Sequence, residues 1–236
     1  MPPPPNSAPP TFDEELRLFE KGFSLVAGLD EAGRGPIAGP VVAGAAILPK
    51  HLQGSWTSLI RDSKQMTETA REKAYGFLER NAVAIAAGIS STREIDANGI
   101  VKATRLAMQR ALLDLPTPPQ FLLLDAFPLP GVNTHQKAII HGDSISLSIA
   151  AASIVAKVTR DRLMRQADAD FPIYGFKSHK GYASAGHLAA LEEHGPCSLH
   201  RFSFEPVYTM HRTLGISPPH PVRDKPKQAH FNIGTE

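Results

Sequence analysis

The stretch Leu25–Asp30 is apolar until its last residue, and the acidic pair Asp30-Glu31 then runs directly into Ala32-Gly33-Arg34-Gly35-Pro36. A short apolar run bounded by glycines reads as a buried strand. A carboxylate at the end of such a strand is costly unless it meets a partner or a cation, and a second one beside it adds repulsion. Side chains alternate faces along a strand, so Asp30 and Glu31 are expected to share a ligand only if the strand breaks there. The glycines that follow offer that break.

The rest of the chain supplies a framework for this strand. Val41–Leu48 is apolar and built of small residues, a second buried strand. Thr67 or Thr69 is expected to start a helix through Arg80, Thr69 having capping-box spacing to Glu72. Val83–Ser90 reads as a third strand and Glu94–Leu113 as one helix with a weak point at Gly99. Phe121–Leu124, ending on Asp125, and Lys137–His141, leading into Gly142-Asp143, complete five strands. An alanine-rich helix follows over Ser146–Ala169, and another over Leu188–His194. Three early strands, then strands alternating with helices, predict an α/β fold: a mixed five-stranded sheet flanked by helices. Residues 1–22 are expected to be a Pro-rich tail and a short helix carrying Leu16 and Phe19. Residues 23–215 form the expected catalytic domain, and 216–236 a disordered Pro-rich tail.

Composition narrows the chemistry. Cys197 is the sole cysteine, which excludes an internal disulfide and a multi-cysteine zinc site. The start, Met1-Pro2-Pro3-Pro4-Pro5, lacks a signal peptide's basic and apolar regions, and the apolar run Pro36–Pro49 is too short for a membrane span. A soluble, cytoplasmic monomer is expected. A net charge of +2 neither requires nor excludes nucleic acid.

Asp125 ends an apolar strand as Asp30 does, and the carboxyl ends of central strands converge on a ligand crevice. Asp143, at a strand-to-helix junction, has a route to the same place. Asp125 alone also reads as a turn former, and for Asp143 alone a helix-start or turn role is the better reading, so composition and spacing leave metal binding at about even odds. Clustered carboxylates without cysteine favour magnesium or manganese. The glycine loop is not a dinucleotide fingerprint. Three residues rather than two separate Gly35 from Gly39, and an apolar strand follows instead of a helix. Its exposed amides suit phosphate or ribose oxygens; a tight turn between strands is the plainer reading.

Taken together, five stretches resemble bacterial ribonuclease HII, the type 2 ribonuclease H. They are Gly28–Pro36; Asp62-Ser63-Lys64; Leu124-Asp125; Gly142-Asp143-Ser144 through Ser148–Lys157 to Arg160-Asp161; and Lys180-Gly181-Tyr182 with His187. His200-Arg201-Phe202-Ser203-Phe204 matches the late motif of that family. Gln65-Met66 after Asp-Ser-Lys, and Gly99-Ile100 with Asn98 one place early, depart from the usual pattern. The resemblance implies a ribonuclease H-like fold with a helical C-terminal extension, with Asp30, Glu31, Asp125 and Asp143 as catalytic, metal-binding tetrad for two Mg2+ or Mn2+ ions. It implies hydrolysis of the RNA strand of RNA–DNA hybrids, and cutting 5′ of single ribonucleotides in DNA to leave 3′-hydroxyl and 5′-phosphate ends. Gly33, Arg34 and Gly35 would contact the 2′-hydroxyl, Tyr182 would stack on the next deoxyribose, and Lys64 would bind phosphate. Lys157 and Arg160, sharing a helix face, are expected to form an anion-facing patch, and Asp161 to be a structural ion-pairing residue. His187, His194 and His200 lack compact ligand spacing and read as surface or structural. A DNA-only nuclease or resolvase of the same fold, or a non-catalytic hybrid-binding protein, are the rival readings.

Overall fold

The computed structural model describes residues 9–52 and 55–223, without the side chains of residues 55 and 56. The expected Pro-rich N-terminus thus lies mostly outside the described residues, as does the side chain of Trp56, which the sequence suggests is a packing residue. Five strands, β1 (Val26–Ala32), β2 (Val41–Ile47), β3 (Ala84–Ser90), β4 (Phe121–Asp125) and β5 (His135–Ile139), form one sheet in the order β3-β2-β1-β4-β5. β1–β2 and β2–β3 are antiparallel; β1–β4 and β4–β5 are parallel. The mixed sheet expected from the sequence is present, with β5 beginning two residues earlier than expected.

One long helix, α5 (Leu147–Asp170), covers one face of the sheet. Its approach is unusually close because the strands beneath it lack side chains at the crossing. A Cβ on Gly28 would lie 2.1 Å from the Ser148 carbonyl oxygen, and one on Gly44 would lie 2.1 Å from that of Ala152. The opposite face is covered by α3 (Thr92–Asn98) and α4 (Ile100–Leu113), with Ala103, Ala107 and Met108 packed on Leu29, Ala43 and Leu122. These two helices correct the single one expected over Glu94–Leu113. Gly99, at φ +79°, ends α3 by donating to Ile95 O at 2.7 Å and starts α4. The helix α2 (Glu68–Asn81) is capped by Thr67, whose hydroxyl accepts from Ala70 N, and not by Thr69.

The N-terminal helix α1 (Asp13–Glu20) is part of the core, not an appendage. Leu18 and Phe19 pack with Val26, Leu123 and Ile149. The buried Glu15 accepts from Ser146 Oγ at 2.6 Å and Ser148 N at 2.8 Å, fastening the start of α5. At the other end, α6 (Phe176–His179), α7 (Ala185–His194) and α8 (Val207–Thr213) pack through Phe176, Leu191 and Val207 against Ile37 and Ala38. Of the segment 216–236 expected to be a disordered tail, residues 224–236 lie outside the described residues, while 216–223 contact the domain. His220 bonds the buried Asp96 at 2.8 Å, and Arg223 N donates to Asp96 O at 2.9 Å. Among the described residues no helix is long and apolar enough to cross a membrane.

The helix backbone of α5 cannot retreat from a new methyl group as a flexible side chain can. Gly44→Ala is expected to cost about 1–3 kcal/mol through overpacking, read as a lower urea midpoint at unchanged slope.

Candidate active site

At the carboxyl end of the parallel strand pair, one cleft of about 250 Å³ is lined by Asp30, Glu31, Asp125, Gly33, Arg34, Gly35, Lys64, Lys157 and Tyr182. Asp143 stands behind Lys64, which donates to its Oδ2 at 2.8 Å. All ten residues singled out in the sequence therefore gather at one place.

Register explains the carboxylates. One step beyond the last β1–β4 pair, Leu29–Leu124, Asp30 comes alongside Asp125. Alternation places Asp30 on the same face as Gly28, toward α5. Asp125 accepts from Gly142 N at 2.7 Å, which ties the end of β4 to the 3-10 turn Gly142–Ser144 carrying Asp143. The expected break between Asp30 and Glu31 is absent. β1 continues through Ala32, with Glu31 paired to Ala43 and Ala32 to Val42. Glu31 reaches the cleft from the opposite face because β4 ends at Asp125 and leaves that side of β1 open. Arg34 holds its Oε1 at 3.1 Å.

Burial raises the Asp30 carboxyl well above the ordinary aspartate range, and Glu31, Asp125 and Asp143 push the same way. Glu31 and Asp125 are also raised, chiefly by burial. Burial opposes the charge on Lys64, but the bond to Asp143 and the charge of Asp30 outweigh it and raise its pKa. Lys64 is thus the internal counter-ion of the cluster rather than a free solvated lysine. It is aimed by Asp62, whose side chain accepts from Lys64 N at 2.9 Å.

The donor set fits a hard divalent cation. It consists of oxygens, and Asp30 Oδ2 and Glu31 Oε2 are buried with no hydrogen-bond partner among the described residues. In this conformation no three acidic, histidine or cysteine side chains among the described residues converge at ligand spacing, and Lys64 supplies the positive charge.

The glycine loop is held from below. Arg201, fully buried, donates to the carbonyls of Gly33 (2.5 Å), Arg34 (2.9 Å) and Gly39 (3.0 Å). Arg160, also buried, donates to Ala38 O (3.1 Å), Pro40 O (2.9 Å) and Lys180 O (2.9 Å). With the carbonyls turned inward, the amides of Gly33, Arg34 and Gly35 take no acceptor among the described residues. Gly33, at φ +94°, also has no room for a side chain, since Arg160 Nε would stand 2.1 Å from its Cβ. Arg160 lines the cleft beside Lys157, as the shared helix face implied, but its guanidinium is spent on loop carbonyls, so it acts as a scaffold of the loop. Lys157, whose pKa burial lowers, is paired with Asp161 at 2.6 Å, and Arg71 shares that carboxylate at 3.5 Å. Sequence reasoning quoted Ser63 and Ser153 only inside longer stretches and gave them no role, yet their hydroxyls meet at 2.7 Å in the cleft wall. A serine carries no signal of its own. Tyr182 is half-exposed at the rim, with Gly35 opposite its ring.

A carboxyl whose pKa is raised by folding weakens the fold as pH climbs past the unfolded value. Asp30→Asn is therefore expected to stabilise the chelator-treated protein at pH 7 by on the order of 1 kcal/mol. The gain should shrink as pH falls through the raised folded pKa, in urea melts across pH.

The family model for ribonuclease HII matches residues 27–207. A ribonuclease HII of Chloroflexus aurantiacus is 50% identical over 200 residues, covering 84% of this chain and 94% of that protein. The solved ribonuclease H2 of Pyrococcus horikoshii OT3 is 26% identical with a TM-score of 0.69, covering 82% of this chain and all of that one. Bst-RNase HIII, solved in complex with Mn2+, shares the fold at a TM-score of 0.66 and 19% identity, over 80% of this chain and 70% of that one. On the match across most of its length, the chain belongs to the ribonuclease HII family of endoribonucleases.

Proposed function

We propose that this protein hydrolyses the RNA strand of RNA–DNA hybrids and cuts on the 5′ side of single ribonucleotides embedded in duplex DNA, leaving 3′-hydroxyl and 5′-phosphate ends. The observation that carries this reading is the pair of unpartnered buried oxygens on Asp30 and Glu31, placed beside unpartnered loop amides in one cleft. Asp30, Glu31, Asp125 and Asp143 would hold two Mg2+ or Mn2+ ions. When bound, such ions activate the attacking water and stabilise the leaving oxygen.

The chain's own groups supply recognition and alignment. The amides of Gly33–Gly35 offer donors to a 2′-hydroxyl, the group that distinguishes RNA from DNA at one position. Arg34 beside Glu31 keeps a cation near the scissile phosphate, and Lys64, once the acidic cluster is otherwise neutralised, has an ammonium available to a backbone phosphate. Lys157 lines the same wall but is committed to Asp161, so its role is to set local charge. Tyr182 presents a ring to the sugar that follows the ribonucleotide. A monomer acting on nucleic acid alone suffices for all of this.

The deciding measurement is cleavage of a duplex carrying one ribonucleotide, with the cut mapped to the nucleotide and an all-DNA duplex as control. Cutting at the ribonucleotide with Mg2+ or Mn2+, abolished by chelator, is expected; equal cutting of the all-DNA duplex would overturn the proposal. Asp125→Asn and Asp143→Asn are expected to abolish cleavage while hybrid binding stays within a few-fold of wild type. Tyr182→Ala is expected to lose cutting at the isolated ribonucleotide and to keep part of it on long hybrids, compared side by side.

A further inference from the structure

Three histidines lie beneath Tyr182, and the hydrogen bonds around them leave little freedom in where their protons sit. Cys197 N donates to His200 Nδ1 at 3.0 Å, so that nitrogen is an acceptor and the ring proton of His200 is on Nε2. His200 Nε2 is 3.0 Å from His187 Nε2, which must then accept. That leaves the proton of His187 on Nδ1, 2.8 Å from the carbonyl oxygen of Tyr182. His179, stacked on His187 at 4.3 Å, accepts from Gly181 N at 3.2 Å through Nδ1 and donates from Nε2 to Tyr174 O at 2.7 Å. The paired rings of His187 and His200 are neutral in this arrangement, and a second proton on either would set two donors face to face.

We propose that this relay positions Tyr182: His200 fixes the tautomer of His187, and His187 holds the Tyr182 backbone so that the phenol faces the cleft. The turn it holds carries one residue with a Cβ in the left-handed region, Lys180 at φ +54°, next to Gly181, which adopts φ +86° without that penalty. Its carbonyls are all secured. Lys180 O is taken by Arg160, Gly181 O by Ile37 N at 3.0 Å, and Tyr182 O by His187 together with Ser184 N at 2.8 Å. Both rings of the pair are fully buried against Tyr174 and Phe176. Burial lowers His187 and, with His187 alongside, takes His200 down to about 3. The pair stays neutral at working pH.

The role rests on Tyr182 contacting substrate, and the test separates the two. Long-range 1H–15N spectra of the full chain are expected to show His187 protonated on Nδ1 and His200 on Nε2 near pH 7; His187 protonated on Nε2 would overturn the relay whatever Tyr182 does. For activity, His187→Asn places an amide donor where Nδ1 stands, whereas His187→Gln places its amide where Nε2 stands and abandons the Tyr182 carbonyl. With equal melting temperatures, Gln is expected to cut an embedded ribonucleotide roughly tenfold more slowly than Asn, with long hybrids changed far less. Added to Tyr182→Ala, the Gln change is expected to have no further effect on that substrate. Additive losses would assign His187 to general stability instead. Wild-type cutting by Tyr182→Ala would overturn the sugar contact and the positioning role with it, while the tautomer result would still stand or fall alone.

Discussion

Two buried guanidinium groups, bonded to backbone carbonyls instead of carboxylates, are the interaction on which the site depends. A buried charge is tolerated when its hydrogen bonds are satisfied. Here Arg160 and Arg201 find their acceptors in the carbonyls of residues 33–40 and of Lys180. Within a trans peptide the N–H points opposite to the C=O, so drawing the Gly33 and Arg34 carbonyls onto Arg201 turns the amides of Arg34 and Gly35 the other way, toward the cleft. The loop gains a donor-rich surface made of backbone, and the two arginines fix its shape.

The acidic side of the cleft follows from sheet geometry in the same economical way. Parallel pairing of β1 with β4 sets Asp30 beside Asp125, and the Asp125–Gly142 bond carries the turn that holds Asp143. Glycines at 28 and 44 let α5 settle on the strands, and Glu15 anchors its first turn. Helix α1 thereby contributes to the site without approaching it.

Much of this was legible because it depends on short-range patterns. Apolar runs ending in Asp30 and Asp125 identified both strands and the ends that meet at the cleft, and glycine spacing argued against a nucleotide-cofactor loop. What escaped depends on neighbours remote in sequence. The continuation of β1 through Glu31 is set by pairing with β2, which outweighs the local glycine signal. Arg160 looked like a surface cation on a helix face, since nothing nearby in sequence shows that a loop from residues 38–40 lies over it. Likewise, a Pro-rich C-terminal arm gives no sign that His220 ends on an aspartate 124 residues away.

That aspartate has a wider reach than its position suggests. Asp96 accepts from Phe202 N, Ser203 N and Ser203 Oγ as well as His220, so one carboxylate gathers helix α3, the segment just after Arg201, and the C-terminal arm. Arg201 is the adjoining residue, and its guanidinium sets the loop. Asp96 is thus a keystone outside the cleft: the loop's alignment is inherited from a junction of three distant chain segments, and a change at any of them is transmitted to residues it never touches.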